Sequence, residues 1–391
     1  MAVNLTNADN ALKSVYLDAI SEQLNSNVNP FLAQIEKSTD DVWGKEVKKL
    51  AVYGMNGGVG AGSEDGDLPT AGGNNYKQFV TTLKNLYGVI EISDKAIRAS
   101  ENNTGAFVSL LNAEMDGLIK SSKFNFGRML FGDGSGTLAK VVLAENGVIT
   151  VDNVKNLIEG MIVDFREQNG NAILSATGRR IISIDRANGT IKVSGANIDG
   201  VLTEGALITI QGSFNNEITG LQAIFNQDKD ELYGLKKSEN SWLSPYVQKE
   251  TGEISEMKIQ TALDVIEEQS GGSVNFIVCS WGVRRAIQNM LSANKSMINT
   301  MDLAGGFKAL SYNGIPIVAD RFCPEGTMYL LNTNDFILHQ LCDWQWLTGD
   351  DGKVLKQIPG KPVYTATLVK YAELICSRPN GQGALYGINE A

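Results

Sequence analysis

Apolar residues near the start of the chain recur at three- and four-residue steps. This spacing predicts an amphipathic first helix, because residues three and four apart share one helix face. Its apolar positions are Leu12, Val15, Tyr16, Ala19, Ile20 and Leu24. A polar stretch at residues 25–30 interrupts the pattern. We therefore assign residues 1–45 to an N-terminal arm that packs on a neighbour or serves as an ordinary first helix.

After the arm, the apolar spacing becomes alternating, as expected for half-buried strands. Residues 47–53 and 76–83 are predicted to form two strands, with Phe79, Thr81 and Leu83 on one face. About twenty residues rich in Gly, Asn and Asp separate them, and connections that long are usually functional or disordered. We predict that residues 46–92 form an extended loop, a projecting β-hairpin. An isolated hairpin is marginal in water, so we expect it to find support on another subunit.

The longest helical pattern follows, in a segment that we bound at residues 93–133. Thr104 is a residue type that caps helix N-termini. Its apolar stripe consists of Phe107, Leu110, Leu111, Met115, Leu118 and Ile119. A helix continuing to Phe131 would span roughly 40 Å at 1.5 Å per residue. That length is better suited to a structural spine than to a small catalytic domain.

Residues 134–217 consist of short apolar runs separated by turn residues. The predicted strands are residues 147–151, 161–165, 180–184, 190–193 and 207–210. Asn188-Gly189 between two of them is a tight-hairpin signal. Five or more strands this short predict a small barrel or sandwich. We interpret this segment as an inserted β domain.

Helices and strands alternate in the last part of the chain, after a connection at residues 218–254. Ser255 is predicted to cap a helix that ends at Gly271, residues 274–279 form a strand, and residues 281–292 form a helix. Asn313-Gly314 predicts a second hairpin. We assign residues 255–350 to one domain and residues 351–391 to closing strands. The fold class is therefore α+β.

Composition narrows the choice of function. At 391 residues the chain is too long for one core, and 34 Lys and Arg against 44 Asp and Glu give a net charge of −10. Tight, sequence-independent wrapping of nucleic acid needs clustered cations, so this balance argues against it. No stretch approaches the ~18 apolar residues of a membrane span. We expect no membrane partner and four reduced, mostly buried cysteines.

Candidate chemistry is sparse. His339 is the single histidine and lies in an apolar run, whereas zinc sites and acid–base relays usually draw on several histidines or cysteines. The glycine-rich residues 54–62 lack the Lys-Ser/Thr of a phosphate-binding loop, and acidic residues follow them. Residues 132–136 (Gly-Asp-Gly-Ser-Gly) lack the ligand pattern of an EF-hand. We predict no catalytic residue, no cofactor and no metal, and hence a protein that is not an enzyme.

The order of arm, extended loop, spine helix and α+β region resembles the major capsid proteins of tailed phages, the HK97-like capsid fold. Residues 132–136 after the spine helix resemble the Gly-Asp-Gly turn common in that family. Gly220-Leu221 supplies the Gly-Leu pair that follows this turn in relatives, which indicates that residues 134–217 interrupt it. Residues 233–235 (Tyr-Gly-Leu) followed by Trp242, and residues 312–320, also resemble family segments.

The resemblance implies an N-arm, an extended loop, a peripheral domain with the spine helix, and an axial domain at residues 255–350. The chain would then return to the peripheral domain for its last strands. It further implies self-assembly into pentamers and hexamers that close an icosahedral head around packaged double-stranded DNA. A portal and a separate scaffolding protein would be partners, because the arm begins almost at Met1. The location would be the virion capsid, assembled in the cytoplasm of a bacterial host.

In such a shell the important surface is the contact between subunits. We expect the extended loop to lie over the spine helix of an adjacent subunit. The candidate contact residues are Gly54, Gly58, Glu64, Asp65, Asp67, Tyr76 and Phe79.

Three other functions would fit parts of the pattern. An encapsulin-like nanocompartment shell would share the whole layout and enclose a protein cargo. A tail-associated or carbohydrate-binding β protein would explain residues 134–217 but not the spine helix. A hydrolase with an unrecognised site ranks last, because no catalytic constellation supports it.

Overall fold

The computed structural model describes residues 29–95, 104–293, 300–303, 307–349 and 352–390. The helix predicted around Leu12 to Leu24 lies outside this part of the chain. The chain divides into two compact units. Arg128–Ala223 forms one unit, and the residues on either side of it form the other.

Helices and strands are mixed, so the α+β class is confirmed. The elements up to the long helix are β1 Glu36–Ser38, β2 Val42–Trp43, β3 Glu46–Tyr53, β4 Asn75–Thr82, β5 Lys84–Ser93 and α1 Thr104–Phe131. The next are β6 Thr137–Glu145, β7 Val148–Val151, β8 Ile162–Arg166, β9 Arg179–Asp185, β10 Thr190–Val193, β11 Leu207–Ile210 and α2 Leu221–Phe225.

The remaining elements complete the larger unit. They are β12 Glu231–Leu232, β13 Leu235–Lys236, β14 Tyr246–Gln248, α3 Glu256–Ser270, β15 Phe276–Cys279, α4 Trp281–Ala293, β16 Thr300–Leu303, β17 Phe307–Tyr312 and β18 Ile315–Ala319. They continue with β19 Met328–Leu331, β20 Phe336–Trp346, β21 Lys356–Gln357, β22 Val363–Cys376 and β23 Gly383–Leu385.

The extended hairpin consists of β3 and β4, which pair antiparallel over eight residues each, with the short β2 beside β3. The two predicted strands are thus present. The hairpin ends at Thr82 and not at residue 92, because β5 leaves it and pairs with β22 in a different sheet. Alternation marks both β4 and β5 as strands, but it does not show which partner each strand takes.

A five-stranded sheet is built around the fourteen-residue β22. β5 pairs along one side of β22, β20 and β21 pair along the other, and β1 joins β20 in parallel. The sheet packs closely on α1, since a Cβ added at Gly88 would lie 2.7 Å from Leu118 Cδ1. The predicted spine helix is therefore present, and it covers one face of this sheet.

A seven-stranded sheet has the order β14-β23-β19-β15-β18-β17-β16. Two predicted boundaries differ here. β20, assigned from sequence to residues 255–350, belongs to the five-stranded sheet, and β23, assigned to the closing strands, pairs with β14 and β19 in the seven-stranded one. The chain thus crosses between the two sheets more often than the predicted consecutive residue ranges imply. Strand pairing depends on long-range contacts, which those ranges do not contain.

The helices on the seven-stranded sheet begin and end where their sequences predict. The Ser255 side chain accepts a hydrogen bond from the backbone N–H of Lys258 at 3.3 Å, and Gly271 ends α3 with φ of 62°. Asn313 and Gly314 have φ of 50° and 81°, as a two-residue hairpin turn requires. Both predictions are confirmed. The core shared by α3, α4 and the sheet includes Ile259, Ile266, Ile277, Val283, Ile287 and Leu330.

Strands β6 to β11 form a closed antiparallel barrel in the order β10-β7-β6-β11-β8-β9. Of the two predicted architectures, the barrel is the one that forms. Its core includes Val141, Ile149, Val163, Phe165, Ile181, Ile191 and Ile208. The sequence reading missed β6, the barrel's first strand.

The turns of the barrel differ from the sequence prediction. The two-residue turn is Asn146-Gly147, with φ of 55° and 71°, and it connects the paired residues Glu145 and Val148. Asn188-Gly189 instead closes a wider loop, because the last strand pair is Asp185 with Thr190. The Asp185 carboxylate accepts hydrogen bonds from the backbone and side chain of Asn188, which favours that wider loop.

The chain enters and leaves the barrel at one place. A Cβ at Gly134 would lie 3.6 Å from the carbonyl oxygens of Glu217 and Ile218, and one at Gly220 only 2.3 Å from the Met129 carbonyl. The buried Arg128 guanidinium pairs with both oxygens of Glu217, at 2.8 and 2.5 Å. These contacts join the two ends of the barrel segment.

Candidate assembly surface

The two faces of the extended hairpin differ in what they contact. On one face Val47, Ala51 and Phe79 are buried within the chain. Successive strand residues point to opposite sides, so the even-numbered residues of β3 and β4 form the other face. In the described part of the chain, every residue of that second face is exposed except the half-buried Glu46.

An aromatic cluster fixes the buried face. Trp242 stacks on Tyr53, with ring centroids 5.1 Å apart, and on Phe79, at 5.7 Å. Tyr233 packs against Phe79 from the other direction, at 5.3 Å. Aromatic pairs at these distances stabilise the fold by more than the burial of their apolar area alone. They therefore hold the hairpin firmly on its own subunit.

Tyr233 also joins the hairpin to the five-stranded sheet. Its backbone carbonyl accepts a hydrogen bond from Val80 N–H at 3.1 Å. Its hydroxyl donates to the Leu374 carbonyl and accepts from Cys376 N–H, both at 3.1 Å. Pairing between β5 and β22 stops at Ala372, so the Tyr233 hydroxyl forms hydrogen bonds with backbone groups of β22 beyond the end of β5. Burial raises the pKa of Tyr233 well above its ordinary value, so the hydroxyl keeps its proton.

Residues 233–235, which resemble a segment of the capsid family, form the turn that positions Tyr233. Tyr233 has φ of 51° and Gly234 has φ of 79°, and together they connect the paired residues Leu232 and Leu235. A bulky residue in the left-handed region is uncommon and needs support from its surroundings. The hydrogen bonds and ring contacts of Tyr233 supply that support.

The open face of the hairpin carries four exposed apolar side chains beside the polar Lys48, Gln78 and Thr82. Leu50 is 58% exposed, Val52 61%, Tyr76 52% and Val80 40%. Val52 lies directly opposite Tyr76 and next to Leu50 on the same face of β3, and Val80 lies opposite Lys48 and diagonal to Leu50. Contiguous exposed apolar side chains on a sheet face mark a contact surface.

The tip of the hairpin, residues 54–74, has a narrow neck. Gly58 and Gly72 approach so closely that a Cβ on Gly58 would lie 2.7 Å from the Gly72 nitrogen. The Asn56 side chain accepts a hydrogen bond from Gly58 N–H at 2.9 Å. Beyond the neck, the tip carries three exposed carboxylates, Glu64, Asp65 and Asp67, and no Lys or Arg. The tip is therefore acidic and narrow.

The seven predicted contact residues divide into two groups. Gly54, Glu64, Asp65, Asp67 and Tyr76 are exposed and Gly58 is half-buried, all on the hairpin or its tip. Phe79 is the error: it is fully buried and packs on Trp242 and Tyr233 of its own chain.

Leu50, Val52 and Val80 were not selected from the sequence, although all three are exposed on the open face of the hairpin. Alternation in the sequence puts Phe79 and Val80 on opposite faces but does not show which face is buried. The structure shows that Phe79 shares the buried face with Val47 and Ala51.

Three further kinds of feature bear on function in the described residues: metal-binding groups, membrane-spanning helices and the cysteines. No group of three or more His, Cys, Asp or Glu there could hold a metal ion. No helix in the same ranges is long and apolar enough to cross a membrane. The four cysteines are free, and burial raises the pKa of Cys279 to about 12, which keeps its thiol protonated.

Neither a family model nor a curated protein matches the chain. Solved structures do. The chain is similar to a subunit of the cyanophage A-1(L) capsid, with 12% identity, a TM-score of 0.56, and coverage of 96% of this chain and 94% of that one. It is also similar to the SrpI encapsulin of Synechococcus elongatus PCC 7942, with 9% identity, a TM-score of 0.50, and coverage of 93% and 89%.

A third similar structure is the capsid of the native GTA particle, with 10% identity, a TM-score of 0.50, and coverage of 92% and 90%. All three likenesses extend over more than nine-tenths of this chain, so they concern its whole architecture. The chain therefore has the HK97-like capsid fold that its sequence resembles.

Proposed function

We propose that the chain is a shell subunit, the major capsid protein of a tailed double-stranded-DNA phage. The observation that carries the proposal is the open apolar face of the hairpin. Its opposite face is fixed to its own subunit by Trp242 and Tyr233. A hairpin that is seated on one side and apolar on the other is suited to bind a second copy of the chain.

In the proposed shell, the face formed by Leu50, Val52, Tyr76 and Val80 lies over α1 of a neighbouring subunit. The seven-stranded sheet and its helices form the axial domain, and axial domains meet at the centres of pentamers and hexamers. The acidic tip extends beyond the apolar face and adds charge specificity to the contact. The assembly closes into an icosahedral head.

The same proposal names the partners. Packaged double-stranded DNA lies inside without sequence-specific binding, which is consistent with a net charge of −10. A separate scaffolding protein and a portal take part in assembly, which occurs in the bacterial cytoplasm. The mature protein resides in the virion capsid.

We further propose that residues 134–217 are an insertion in the capsid fold. The two ends of the barrel segment meet at Gly134 and Glu217, so the segment leaves the remaining chain close to continuous. The barrel would lie on the outer surface of the shell or brace neighbouring subunits.

Electron microscopy of the purified protein tests the central proposal, with closed shells or capsomer rings as the expected result. A charged substitution in the open face, Leu50→Asp, should abolish these assemblies and leave a folded subunit. The matched control is Leu174→Asp, at an 84% exposed leucine of the barrel. Normal shells from Leu50→Asp would overturn the proposed contact, and dispersed wild-type monomers would count against a shell function.

Deleting residues 54–73 gives a second test of the hairpin. Tyr53 and Asn75 are the last paired residues, so a short connection can rejoin the strands without disturbing the buried face. We expect a folded protein that no longer assembles, as judged by circular dichroism and negative-stain microscopy. Normal shells from this deletion would exclude the tip from assembly.

An encapsulin-like shell is the second candidate, and the likeness to the SrpI encapsulin over 93% of the chain favours it. Both candidates assemble through the same surface, so microscopy of empty shells does not separate them. The contents do: protein cargo that co-purifies with DNA-free shells would support the nanocompartment, and packaged DNA would support the phage head.

A further inference from the structure

The single histidine of the chain lies at the base of the extended hairpin. His339 is on β20, beside Ser38 of β1, and is only 1% exposed. Its Nδ1 lies 3.1 Å from the backbone carbonyl oxygen of Asp40. Asp40 belongs to the turn between β1 and β2, so the imidazole contacts the chain just before the hairpin begins.

The hydrogen bond determines where the proton is on the ring. A carbonyl oxygen only accepts, so Nδ1 carries the hydrogen and Nε2 of the neutral ring carries a lone pair. Nε2 is buried and has no hydrogen-bond partner among the described residues. Adding a proton there would place an N–H and a positive charge at a buried atom that has no hydrogen-bond acceptor among the described residues.

The surrounding charges do not remove this penalty. The charged side chains on the elements around the ring include those of Glu36 and Lys37 on β1, Asp40 and Asp41 in the turn, Lys49 on β3, and Lys370 and Glu373 on β22. Glu373 is the direct cross-strand partner of His339. Asp40 and Asp41 favour the charged ring, whereas Lys49 opposes it. Burial is the largest effect and lowers the pKa of His339 below its ordinary value.

The turn held by His339 determines the start of the hairpin. Asp41 has φ of 62°, and its carbonyl accepts a hydrogen bond from Lys48 N–H of β3 at 2.9 Å. Val42 and Trp43 then pair with β3. Release of the turn at Asp40 would therefore loosen the edge of the hairpin sheet and the attachment of β1.

We propose that His339 is a proton-sensitive lock on the base of the hairpin. Neutral, it holds the Asp40 turn closed; protonated, its Nε2 needs an acceptor or water that it reaches only when the turn opens. The open form binds the proton with an ordinary affinity, and the closed form resists it. The closed turn is thus stable above about pH 6.5 and loses stability as the pH falls toward the lower pKa of the closed form.

Hydrogen–deuterium exchange of the full-length protein between pH 7 and pH 5 tests the lock. After correction for intrinsic exchange rates, protection of residues 40–53 should fall by up to about tenfold for each pH unit below 6.5. Amides of the barrel should not follow this change. Constant protection of residues 40–53 across the range would overturn the proposal.

Two variants assign the effect to the ring. His339→Asn keeps an N–H donor near the position of Nδ1 and does not titrate, so protection should become independent of pH. His339→Phe lacks the donor and should open the turn at every pH. Burial also raises the pKa of Asp335. A fall in protection that persists unchanged in His339→Asn would assign the effect to a different titrating group, such as Asp335, and overturn the proposal.

A direct titration keeps the test decisive even if both variants fold poorly. The chain has one histidine, so an isotope-labelled imidazole gives one NMR signal, and its pKa should lie below 6.5. A ring that titrates at its ordinary pKa would contradict the lock.

The consequence for assembly rests on the proposed function: shells should loosen or assemble less well at about pH 5.5 than at pH 7, since the lock releases below about pH 6.5. Absence of shells at both pH values would refute the proposed shell function. The hydrogen-exchange result would then still test the His339 lock.

Discussion

The extended hairpin and the barrel are both antiparallel β structures, but they use their apolar residues in opposite ways. The barrel closes on itself, so its strands have no free edge and its apolar side chains share one core. The hairpin has two faces, one buried against Trp242 and Tyr233 and the other open. A closed barrel buries its apolar side chains within one subunit, whereas the hairpin leaves one apolar face exposed for the contact that we propose.

This contrast determines where substitutions should act. In the barrel, they should change the stability of the subunit. In the hairpin, substitutions on the buried face should change the stability of the subunit, and substitutions on the open face should change assembly. The five tryptophans all lie outside residues 128–223, so their fluorescence reports on the larger unit, and hydrogen exchange is needed for the barrel.

Phe79→Ala against Leu50→Ala is the sharpest test of the two hairpin faces. Phe79→Ala removes a buried ring from the Trp242 cluster and should lower the free energy of unfolding by about 3–5 kcal/mol. Leu50→Ala, on the open face, should change it by less than about 0.5 kcal/mol. Urea unfolding followed by tryptophan fluorescence measures both. Equal losses would show that the open face is already covered within the subunit.

An effect of similar size is expected where the barrel segment begins and ends. Glu217→Ala leaves the buried Arg128 guanidinium without its carboxylate, which should destabilise the barrel by about 3–5 kcal/mol. Hydrogen exchange of residues 137–210 should show the loss.

The matched control for Glu217→Ala replaces both charges, as Arg128→Met with Glu217→Leu. It should recover most of the stability, since no charge is then left buried alone. If the double variant is as unstable as Glu217→Ala, packing and not charge pairing is what Glu217 contributes.

Gly220→Ala should be less severe. A methyl group there would lie 2.3 Å from the Met129 carbonyl and 2.5 Å from that of Gly132, both backbone atoms that yield little. We expect a loss of about 2–3 kcal/mol in barrel stability, read from hydrogen exchange. Gly200→Ala is the control, because nothing lies within 4 Å of its added methyl group. Similar behaviour of the two variants would mean that the ends of the barrel segment can separate freely.

The two regions also differ in how far sequence could predict them. Alternation identified β3 and β4 and the barrel strands after β6, because side-chain period reports burial directly. It did not assign β5 and β20 to the five-stranded sheet, since pairing between residues such as Tyr87 and Val369 is a long-range choice. Glycine content likewise predicted the tip of the hairpin, but it did not predict the neck, where the two backbone segments approach closely at Gly58 and Gly72.

The candidate site shows the same division. Tyr76 and the acidic residues of the tip are exposed, as a contact surface requires, but Phe79 lies on the buried face. The error arose because a large apolar residue on a projecting strand fits either a contact surface or an internal anchor. Only the position of Trp242, more than 160 residues away in the sequence, decides between the two.

The smallest expected effect concerns the hydroxyl that joins the hairpin to the sheet. Tyr233→Phe keeps the ring on Phe79 but leaves the Leu374 carbonyl and the Cys376 N–H without their partner. Unmet backbone groups in a buried position should cost about 1–2 kcal/mol. Tyr76→Phe makes the same chemical change on the open face, where the hydroxyl accepts a hydrogen bond from the exposed Asn74 side chain, and should cost almost nothing.

Urea unfolding gives the free energies of both variants, and hydrogen exchange at Cys376 shows whether its N–H has lost protection. Tyr233→Phe should also weaken assembly slightly, because the hairpin keeps its open face but is held less firmly. If Tyr76→Phe proves as costly as Tyr233→Phe, the two faces of the hairpin are not distinguished by burial. The contrast between an anchored face and an open one would then have to be abandoned.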